Sequence, residues 1–244
     1  MSSMLLDATS PYLASTVIGT KNHIRYQERP SESPLVERVW HSQADNDDSC
    51  IAIADGRWDM VFIIQDGQAK VFITGPQTTA ISIPHPAGSE WLGVRFRLGV
   101  MMPHLSLNNL VNEGIHLPDA VHGSFWLNSL AWPLPNYENV DVLISRLVKN
   151  DLFSYDPVVQ SAVQGQNPSY SLRALQYRFQ HTVGLSFKTI QQIERAQAAV
   201  VLLQQDHPIL DTAFQLGYYD QAHLINSLKR FMGRTPLQIT KAMK

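Results

Sequence analysis

Two groups of side chains recur at helical spacing in the last third of the chain, and both have chemistry suited to nucleic acid. The first group is Arg173, Gln176, Tyr177 and Gln180. The second group is Ala222, Ile225, Asn226 and Lys229. Guanidinium, amide and phenol groups hydrogen-bond base edges or phosphates, and small apolar groups contact the thymine methyl. The spacing therefore indicates two helical surfaces that could contact DNA.

The second surface needs a helix with defined ends. Asp220 can cap a helix start, and Gly233 can adopt the left-handed conformation that ends one. Residues 209–216 show a shorter helical pattern, and Gly217 permits a tight turn between the two segments. The longer segment has one apolar face, formed by Leu224, Leu228 and Phe231. The pattern predicts a helix-turn-helix.

A second unit of the same kind is predicted upstream. Ser171 can cap a helix over residues 172–183, and Gly184 can end it. Residues 156–164 supply the partner helix. Between the two units, residues 186–205 predict a long helix. Such a spacer would be rigid, as required to place two recognition helices in successive major-groove turns about 34 Å apart.

These units resemble the C-terminal domain of the AraC/XylS family of regulators. The first is similar through Ser171-x-Arg173-x-Leu175-x-x-x-Phe179 and Thr182-Val-Gly184-Leu-Ser186. The second is similar through Gly217-Tyr-x-Asp-Gln-x-His-Leu, Leu228-Lys229-Arg230, Gly233 and Thr235-Pro236. The resemblance implies a sequence-specific transcription regulator, an activator whose partners are double-stranded DNA and RNA polymerase. The absence of a membrane-length apolar run and of a signal-peptide pattern in residues 1–11 predicts a cytoplasmic location.

The resemblance also implies roles for individual residues. The family's base-reading positions fall on Arg173, Gln176 and Tyr177 in the first unit, and on Gln221, Ala222, Ile225 and Asn226 in the second. Positions 177 and 226 are more often Arg in the family, so this chain is expected either to read other bases or to bind more weakly there. Lys229 and Arg230 are expected to hold phosphates.

The first part of the chain has the alternation of β-strands. Strands are predicted over residues 36–41, 50–54, 58–65, 69–74, 79–83 and 90–98. Asp66-Gly67 is a hairpin signal, because both turn positions favour residues that tolerate positive φ. In the last strand Leu92, Val94 and Phe96 alternate with Trp91, Gly93 and Arg95, which predicts two different faces. We expect an antiparallel β barrel or sandwich, and with the helical part an α+β fold.

The predicted division has three parts: residues 1–137 as a strand-rich regulatory domain, 138–155 as a connecting helix, and 156–244 as the DNA-binding domain. A short helix is expected over 103–110. The connecting helix could carry a homodimer contact or merely cover the open face of the sheet. Residues 156–244 hold nine Lys and Arg against five Asp and Glu, a local charge of +4, whereas the net charge of the chain is −2. This asymmetry favours phosphate binding by the helical part alone.

Four residues of the strand-rich part are candidates to line a small-molecule site: Trp40, Trp58, Trp91 and Arg95. Three segments resemble the sensor of one subgroup of the family: Asp55-Gly-Arg-Trp-Asp-Met-Val-Phe, Gly75-Pro-Gln-Thr and Gly93-Val-Arg-Phe. The alternative to control by a small molecule is control by a protein partner or by dimerisation.

The rival interpretation is a metal-dependent barrel enzyme with an accessory helical domain. Such a metal site would need paired His residues and a carboxylate, but Pro86 and Ala87 follow His85, and Glu90 has no His beside it. No cofactor and no metal site are therefore expected. The lone cysteine, Cys50, lies in an apolar segment and is expected to be buried. No apolar run is long enough to cross a bilayer.

Overall fold

A computed structural model describes residues 17–19, 24–121, 123–166 and 170–241. Strands dominate up to residue 133 and helices from residue 140 onward, so the predicted α+β fold is confirmed. The strands are β1 (Val17–Gly19), β2 (Ile24–Arg29), β3 (Val36–Ala44), β4 (Asp48–Ala52), β5 (Asp59–Gln65), β6 (Gln68–Thr74), β7 (Ile81–His85), β8 (Glu90–Phe96), β9 (Val100–Met101), β10 (Gly114–Leu117), β11 (Asp119–Ala120), β12 (Ser124–Leu127), β13 (Leu130–Pro133) and β14 (Ser154–Tyr155). The helices are α1 (Val140–Lys149), α2 (Pro157–Val163), α3 (Leu172–Thr182), α4 (Phe187–Gln204), α5 (Ile209–Gln215), α6 (Gln221–Met232) and α7 (Pro236–Lys241).

The large sheet has six antiparallel strands in the order β10-β6-β5-β8-β3-β2. A small sheet has the order β1-β4-β7. Of the two architectures expected, a barrel or a sandwich, the barrel does not form, because among the described strands β10 and β2 are the edges of the large sheet. β4 and β7 pair with each other, from Asp48↔His85 to Ala52↔Ile81, and so do not close the large sheet. The two sheets together form an open sandwich.

The hairpin between β5 and β6 turns where the sequence predicts. Asp66 has φ of 52° and Gly67 has φ of 73°, so both turn residues adopt the left-handed conformation. This geometry matches the right-handed twist of the flanking strands. The register of β5 and β6 therefore follows from one dipeptide.

The large sheet has two different faces, as the alternation in β8 predicts. Leu92, Val94 and Phe96 are buried on one face, in a core that also contains Met60 and Ile73. The apolar side of α1 belongs to the same core, through Val140, Leu143, Ile144 and Leu147. α1 therefore covers this face of the sheet, one of the two roles expected of the connecting helix. Arg29 fastens the helix start, because its guanidinium lies 2.6 Å from a carboxylate oxygen of Asp141.

The helices from α2 onward share a second core, and two of its members come from the strand-rich part. Ala54 and Leu98 are buried among the apolar side chains of α2 to α7. The helical part therefore buries apolar surface against the strand-rich part, and removing either part would expose it to water.

The structure differs from the sequence expectation between residues 100 and 133. The short helix expected over 103–110 is reduced to a 3₁₀ turn at Leu107–Leu110. Pro103 stands in a turn after β9, and Met102 makes an isolated bridge to Leu105. Strands of two to four residues interrupted by Gly, Pro and Asn carry too little periodicity to be recognised. Among the helices described, none combines the length and the apolar character that a membrane span requires.

Candidate DNA interface and ligand cavity

The exposed face of α3 carries the first predicted group. The helix begins where Ser171 Oγ accepts a hydrogen bond of 3.2 Å from the backbone N–H of Ala174, which satisfies one of the free donors of the first turn. Phe179 is fully buried beneath the helix. Arg173, Gln176 and Tyr177 are all exposed, and the Tyr177 ring lies parallel to that of His181 with centroids 6.0 Å apart. These three side chains can reach a ligand from one face.

The fourth member of this group, Gln180, is placed differently. Its amide nitrogen donates to the side-chain oxygen of Asn108, in the 3₁₀ turn of the strand-rich part, and to the backbone oxygen of Gly184 at 3.2 Å. Gly184 has φ of 78°, and a Cβ there would lie 2.7 Å from the backbone oxygen of Leu107. The C-terminal end of α3 is therefore fitted closely against the strand-rich part, and Gln180 takes part in that contact.

The exposed face of α6 carries the second predicted group. Asp220 caps the helix, its carboxylate accepting 2.7 Å from the backbone N–H of His223, and Gly233 ends it with φ of 67°. The inward residues Leu224, Leu228 and Phe231 are buried. The exposed residues are Gln221, Ala222, Asn226, Lys229 and Arg230, and Ile225 is half-buried beside them. The helix thus presents a continuous outer face on a fully packed inner one.

A buried hydrogen bond supports the start of α6. The hydroxyl of Tyr218 and that of Ser227 lie 3.1 Å apart, and the Arg195 guanidinium from α4 lies 4.4 Å from the Tyr218 ring centroid. Burial raises the pKa of Tyr218, so the phenol keeps its proton. α4, the predicted spacer, thereby holds the turn between α5 and α6 in place.

The C-terminal end of α6 is held by the strand-rich part. The backbone N–H of Ala80 donates to the carbonyl of Arg230 at 2.8 Å, and that of Ala54 donates to the carbonyl of Phe231 at 2.8 Å. The last carbonyls of a helix have no partner within it, so these bonds satisfy groups that would otherwise need water. A Cβ on Gly233 would lie 3.0 Å from the side chain of Ala80. Both α3 and α6 therefore end against the strand-rich part.

A cavity of about 360 Å³ lies between the large and the small sheet. Three of the four residues proposed to line a small-molecule site are in its wall: Trp40, Trp91 and Arg95. The fourth, Trp58, is placed in the core behind the sheet, where its ring stacks on Phe96 with centroids 4.0 Å apart. Its indole N–H donates to the backbone oxygen of Val100 at 2.7 Å.

Trp40 lies flat across the floor of the cavity because its strand neighbour is a glycine. Trp40 on β3 is paired with Gly93 on β8. A Cβ at position 93 would fall 1.9 Å from the indole ring, which is far inside van der Waals contact. Only glycine leaves room for the ring at this height above the sheet.

A chain of ion pairs runs along one end of the cavity. Arg95 lies 2.7 Å from a carboxylate oxygen of Asp55 and 2.8 Å from one of Asp59. Arg57 pairs with Glu37 and, at 3.7 Å, with Glu194 of α4. The side chains of Arg95 and Asp55 are each less than a tenth exposed. Ion pairs thus connect the wall of the cavity to α4 in the helical part.

The pKa values along this chain follow from burial and pairing. Burial alone would raise the pKa of Glu37, but Arg57 and Arg38 outweigh it and lower that pKa to about 2. Burial raises the pKa of Asp55, although Arg95 opposes the shift. Burial would lower the pKa of Arg95, but the two Asp partners raise it above its ordinary value, so this guanidinium stays charged.

Cys50 and His85 face each other across the small sheet. Cys50 Sγ lies 3.6 Å from His85 Nδ1, and the His85 ring stacks on that of Trp91 at 4.3 Å. Burial raises the pKa of the Cys50 thiol to about 12 and lowers the pKa of His85. Both groups are therefore uncharged near neutral pH. Within the described ranges, no cluster of His, Cys, Asp and Glu is arranged to hold a metal ion.

Sequence reasoning missed four residues around Arg95: its partners Asp55 and Asp59, and the neighbouring ion pair of Arg57 with Glu37. The first three fall in the segment Asp55-Gly-Arg-Trp-Asp, which stands directly before the apolar run of β5. Three charged residues at the start of a buried strand are a signal, because buried charges are retained only with partners. Arg95 on β8 was the available partner, but the pairing of β5 with β8 was needed to bring these residues together.

Comparison with known proteins gives one family match. A family model described as a helix-turn-helix domain matches residues 168–242. Two solved structures of ToxT from Vibrio cholerae are similar to this chain. The first, from strain O395, has a TM-score of 0.38 and 11% identity, covering 92% of this chain and 99% of its own. The second, at 1.65 Å resolution, has a TM-score of 0.36 and 12% identity, covering 89% and 97%. At these TM-scores the likeness carries no argument about function. No curated protein matches the chain.

Proposed function

We propose that this chain is a DNA-binding transcription regulator of the AraC type, in which α3 and α6 read two half-sites and the strand-rich part senses a small molecule. The match of residues 168–242 to a helix-turn-helix family model supports this proposal. The observation that carries the reading role is the outer face of α6. It presents amide, small apolar and cationic groups in succession, on a helix whose inner face is completely buried. A helix packed in this way can enter the major groove without unfolding.

Each exposed residue of α6 has a role that its chemistry supports. The Asn226 amide can bond an adenine bidentately, and Gln221 can do the same nearer the helix start. Ala222 and Ile225 can contact thymine methyl groups. Lys229 and Arg230 form the last-turn cations, which suit phosphate oxygens and carry no sequence information.

α3 serves the other half-site in this proposal. Arg173 has the fork geometry that pairs with the two acceptors of a guanine edge, and Gln176 lies one turn further along the same face. Tyr177 is 71% exposed, so its ring and hydroxyl are free to contact a base or the sugar-phosphate backbone. Gln180 is bonded to Asn108 and contributes to DNA binding only if that bond opens.

The sensor role rests on the position of the cavity next to α6 and α4. Asp55 lines the cavity, the preceding residue Ala54 bonds α6, and Arg57 pairs with Glu194 of α4. A molecule that favours one arrangement of residues 54–57 would shift the population of helix orientations. Its effect on DNA affinity would equal the effect of DNA on its own affinity.

Binding of the full chain to duplex DNA tests the proposed function. Fluorescence anisotropy with a labelled duplex, repeated over a series of salt concentrations, should give an affinity that falls steeply with salt, because phosphate contacts release counterions. A folded chain that binds no duplex at low salt would refute the proposal. A thermal-shift screen of metabolites then tests the sensor role, since a ligand of the native state raises the melting temperature.

A further inference from the structure

We infer that the cavity between the two sheets takes an uncharged, predominantly apolar molecule. This inference rests on the proposed sensor role for its biological meaning, but its physical basis is the wall of the cavity alone. The wall combines an apolar surface with charged groups that are already paired. Both features discriminate against a ligand that carries a charge.

The apolar surface comes from both sheets. The large sheet contributes side chains from alternate positions, so they lie on the face opposite the α1 core. Trp40, Val61 and Phe72 line the cavity from the large sheet, and Ala52, Ile81 and Ile83 line it from the small sheet. A molecule seated between them would be stabilised by burying apolar surface. The volume of about 360 Å³ lies in the range of ordinary ligand pockets.

The cations in the wall are not available to an anionic ligand. Arg95 makes hydrogen bonds to both oxygens of Asp59, of 2.9 Å from Nε and 2.8 Å from Nη2, and also pairs with Asp55. Arg57 is held by Glu37, by Glu194 and by the backbone oxygen of Asp55 at 2.8 Å. A ligand carboxylate would have to displace one of these carboxylates and leave it buried without a partner. That exchange is costly.

The other titratable groups of the wall also offer no free positive charge to an anionic ligand. Cys50 keeps its proton and His85 stays neutral near pH 7, because burial raises the pKa of the thiol and lowers the pKa of the imidazole. Glu113 lies at the mouth of the cavity and is exposed, so it adds negative charge where a ligand enters. The carboxylates Asp55 and Asp59 are both paired with Arg95, so a cationic ligand could reach either of them only by displacing the Arg95 guanidinium. An uncharged molecule avoids each of these conflicts.

A matched pair of fluorescent probes tests the inference on the full chain. N-phenyl-1-naphthylamine is uncharged, and 8-anilino-1-naphthalenesulfonate has the same ring framework with a sulfonate. We expect saturable binding of the uncharged probe, with a rise in melting temperature, and at least about tenfold weaker binding of the sulfonate. Equal affinities, a preference for the sulfonate, or no binding of the uncharged probe would overturn the inference.

Three variants locate the probe and the origin of the selectivity. Ala52→Phe fills the cavity and should abolish binding of the uncharged probe while circular dichroism stays that of the wild type; unchanged binding would place the probe elsewhere and overturn the inference. Asp59→Asn removes one partner of Arg95, so the affinity for the sulfonate relative to that for the uncharged probe should rise about tenfold. Asp55→Asn makes the same test if the first variant is unfolded. Unchanged selectivity in a folded variant would contradict the role given to the ion pairs.

Failure of this inference is distinguishable from failure of the proposed function. If the chain prefers the uncharged probe but binds no duplex DNA, the regulator proposal fails and the ligand class stands. If the chain binds duplex DNA but prefers the sulfonate, the ligand class is wrong and DNA reading is unaffected.

Discussion

The backbone N–H of Ala54 donates a hydrogen bond of 2.8 Å to the carbonyl of Phe231, near the C-terminal end of α6. The next residue after Ala54 is Asp55, whose carboxylate lines the cavity. One peptide unit therefore connects a cavity wall to α6. Because the donor is a backbone N–H, only proline at position 54 would remove the bond, and proline would also disturb the buried backbone there, so the coupling is better tested at the charges around it.

Arg57 and Glu194 should contribute very unequally to stability. Arg57→Ala removes one of the two cations paired with the half-buried Glu37 and leaves Arg38 as the other, so it is expected to lower the free energy of unfolding by about 1 to 3 kcal/mol. Glu194 is more exposed and pairs at 3.7 Å, so Glu194→Ala should cost only about 0 to 1 kcal/mol. Urea unfolding of both variants measures the difference. Equal losses would mean that the ion-pair chain is not a buried network.

Gly93 should resist even the smallest substitution. In Gly93→Ala the new methyl meets the Trp40 ring, and overpacking of this kind costs about 1 to 3 kcal/mol. The double variant Trp40→Leu/Gly93→Ala should lose less than the two single losses added together. Thermal unfolding of the wild type, the two single variants and the double variant gives the coupling free energy between the two residues. Strict additivity would show that the two residues do not compete for space.

Asn226 and Lys229 should separate sequence reading from backbone binding. Asn226→Ala is expected to relax the preference at one base position and to cost about 1 to 3 kcal/mol on the preferred duplex. Lys229→Ala, one turn away on the same face, should weaken all duplexes alike and reduce the salt slope by about 1. Affinities for a set of single-base variants of the site measure both effects. If Asn226→Ala lost the same affinity for every duplex, Asn226 would contact the DNA backbone and not a base.

Acid should destabilise the fold through Glu37. Its pKa is lowered to about 2 in the folded chain from 4.5, so its ion pairs stabilise the fold above pH 4.5 and that contribution is lost as the pH falls towards 2. Glu37→Gln should therefore show a smaller loss of stability between pH 5 and 2 than the wild type. Glu113→Gln, at an exposed site, is the matched control. If the stability of the wild type and of Glu37→Gln fell in parallel between pH 5 and 2, Glu37 would not be a source of the acid destabilisation.

The helical part could be predicted closely because its signals are local. Asp156, Ser171, Ser186 and Asp220 each accept a hydrogen bond from the backbone of their own first turn, so capping residues alone mark the starts of four helices. The left-handed Gly233 marks an end in the same way. Such signals need no knowledge of tertiary structure.

The cavity and its ion pairs could not be predicted to the same extent, because they depend on pairing between distant strands. Arg95 and Asp59 meet because β5 and β8 are neighbours, a register that the alternation in each strand does not determine. Trp58 and Trp91 have similar sequence surroundings, yet one is in the core and the other lines the cavity. The side of the sheet on which each lies separates them.

In vitro selection of duplex DNA by the full wild-type chain tests the central claim most directly. Two recognition helices held by the rigid α4 should enrich a site with two conserved elements whose centres are about 10 base pairs apart. The same selection with Arg173→Ala should alter one element and leave the other as in the wild type. Enrichment of a single element, or of no sequence at all from a chain that still binds DNA, would contradict the assignment of α3 and α6 as a pair of sequence-reading helices.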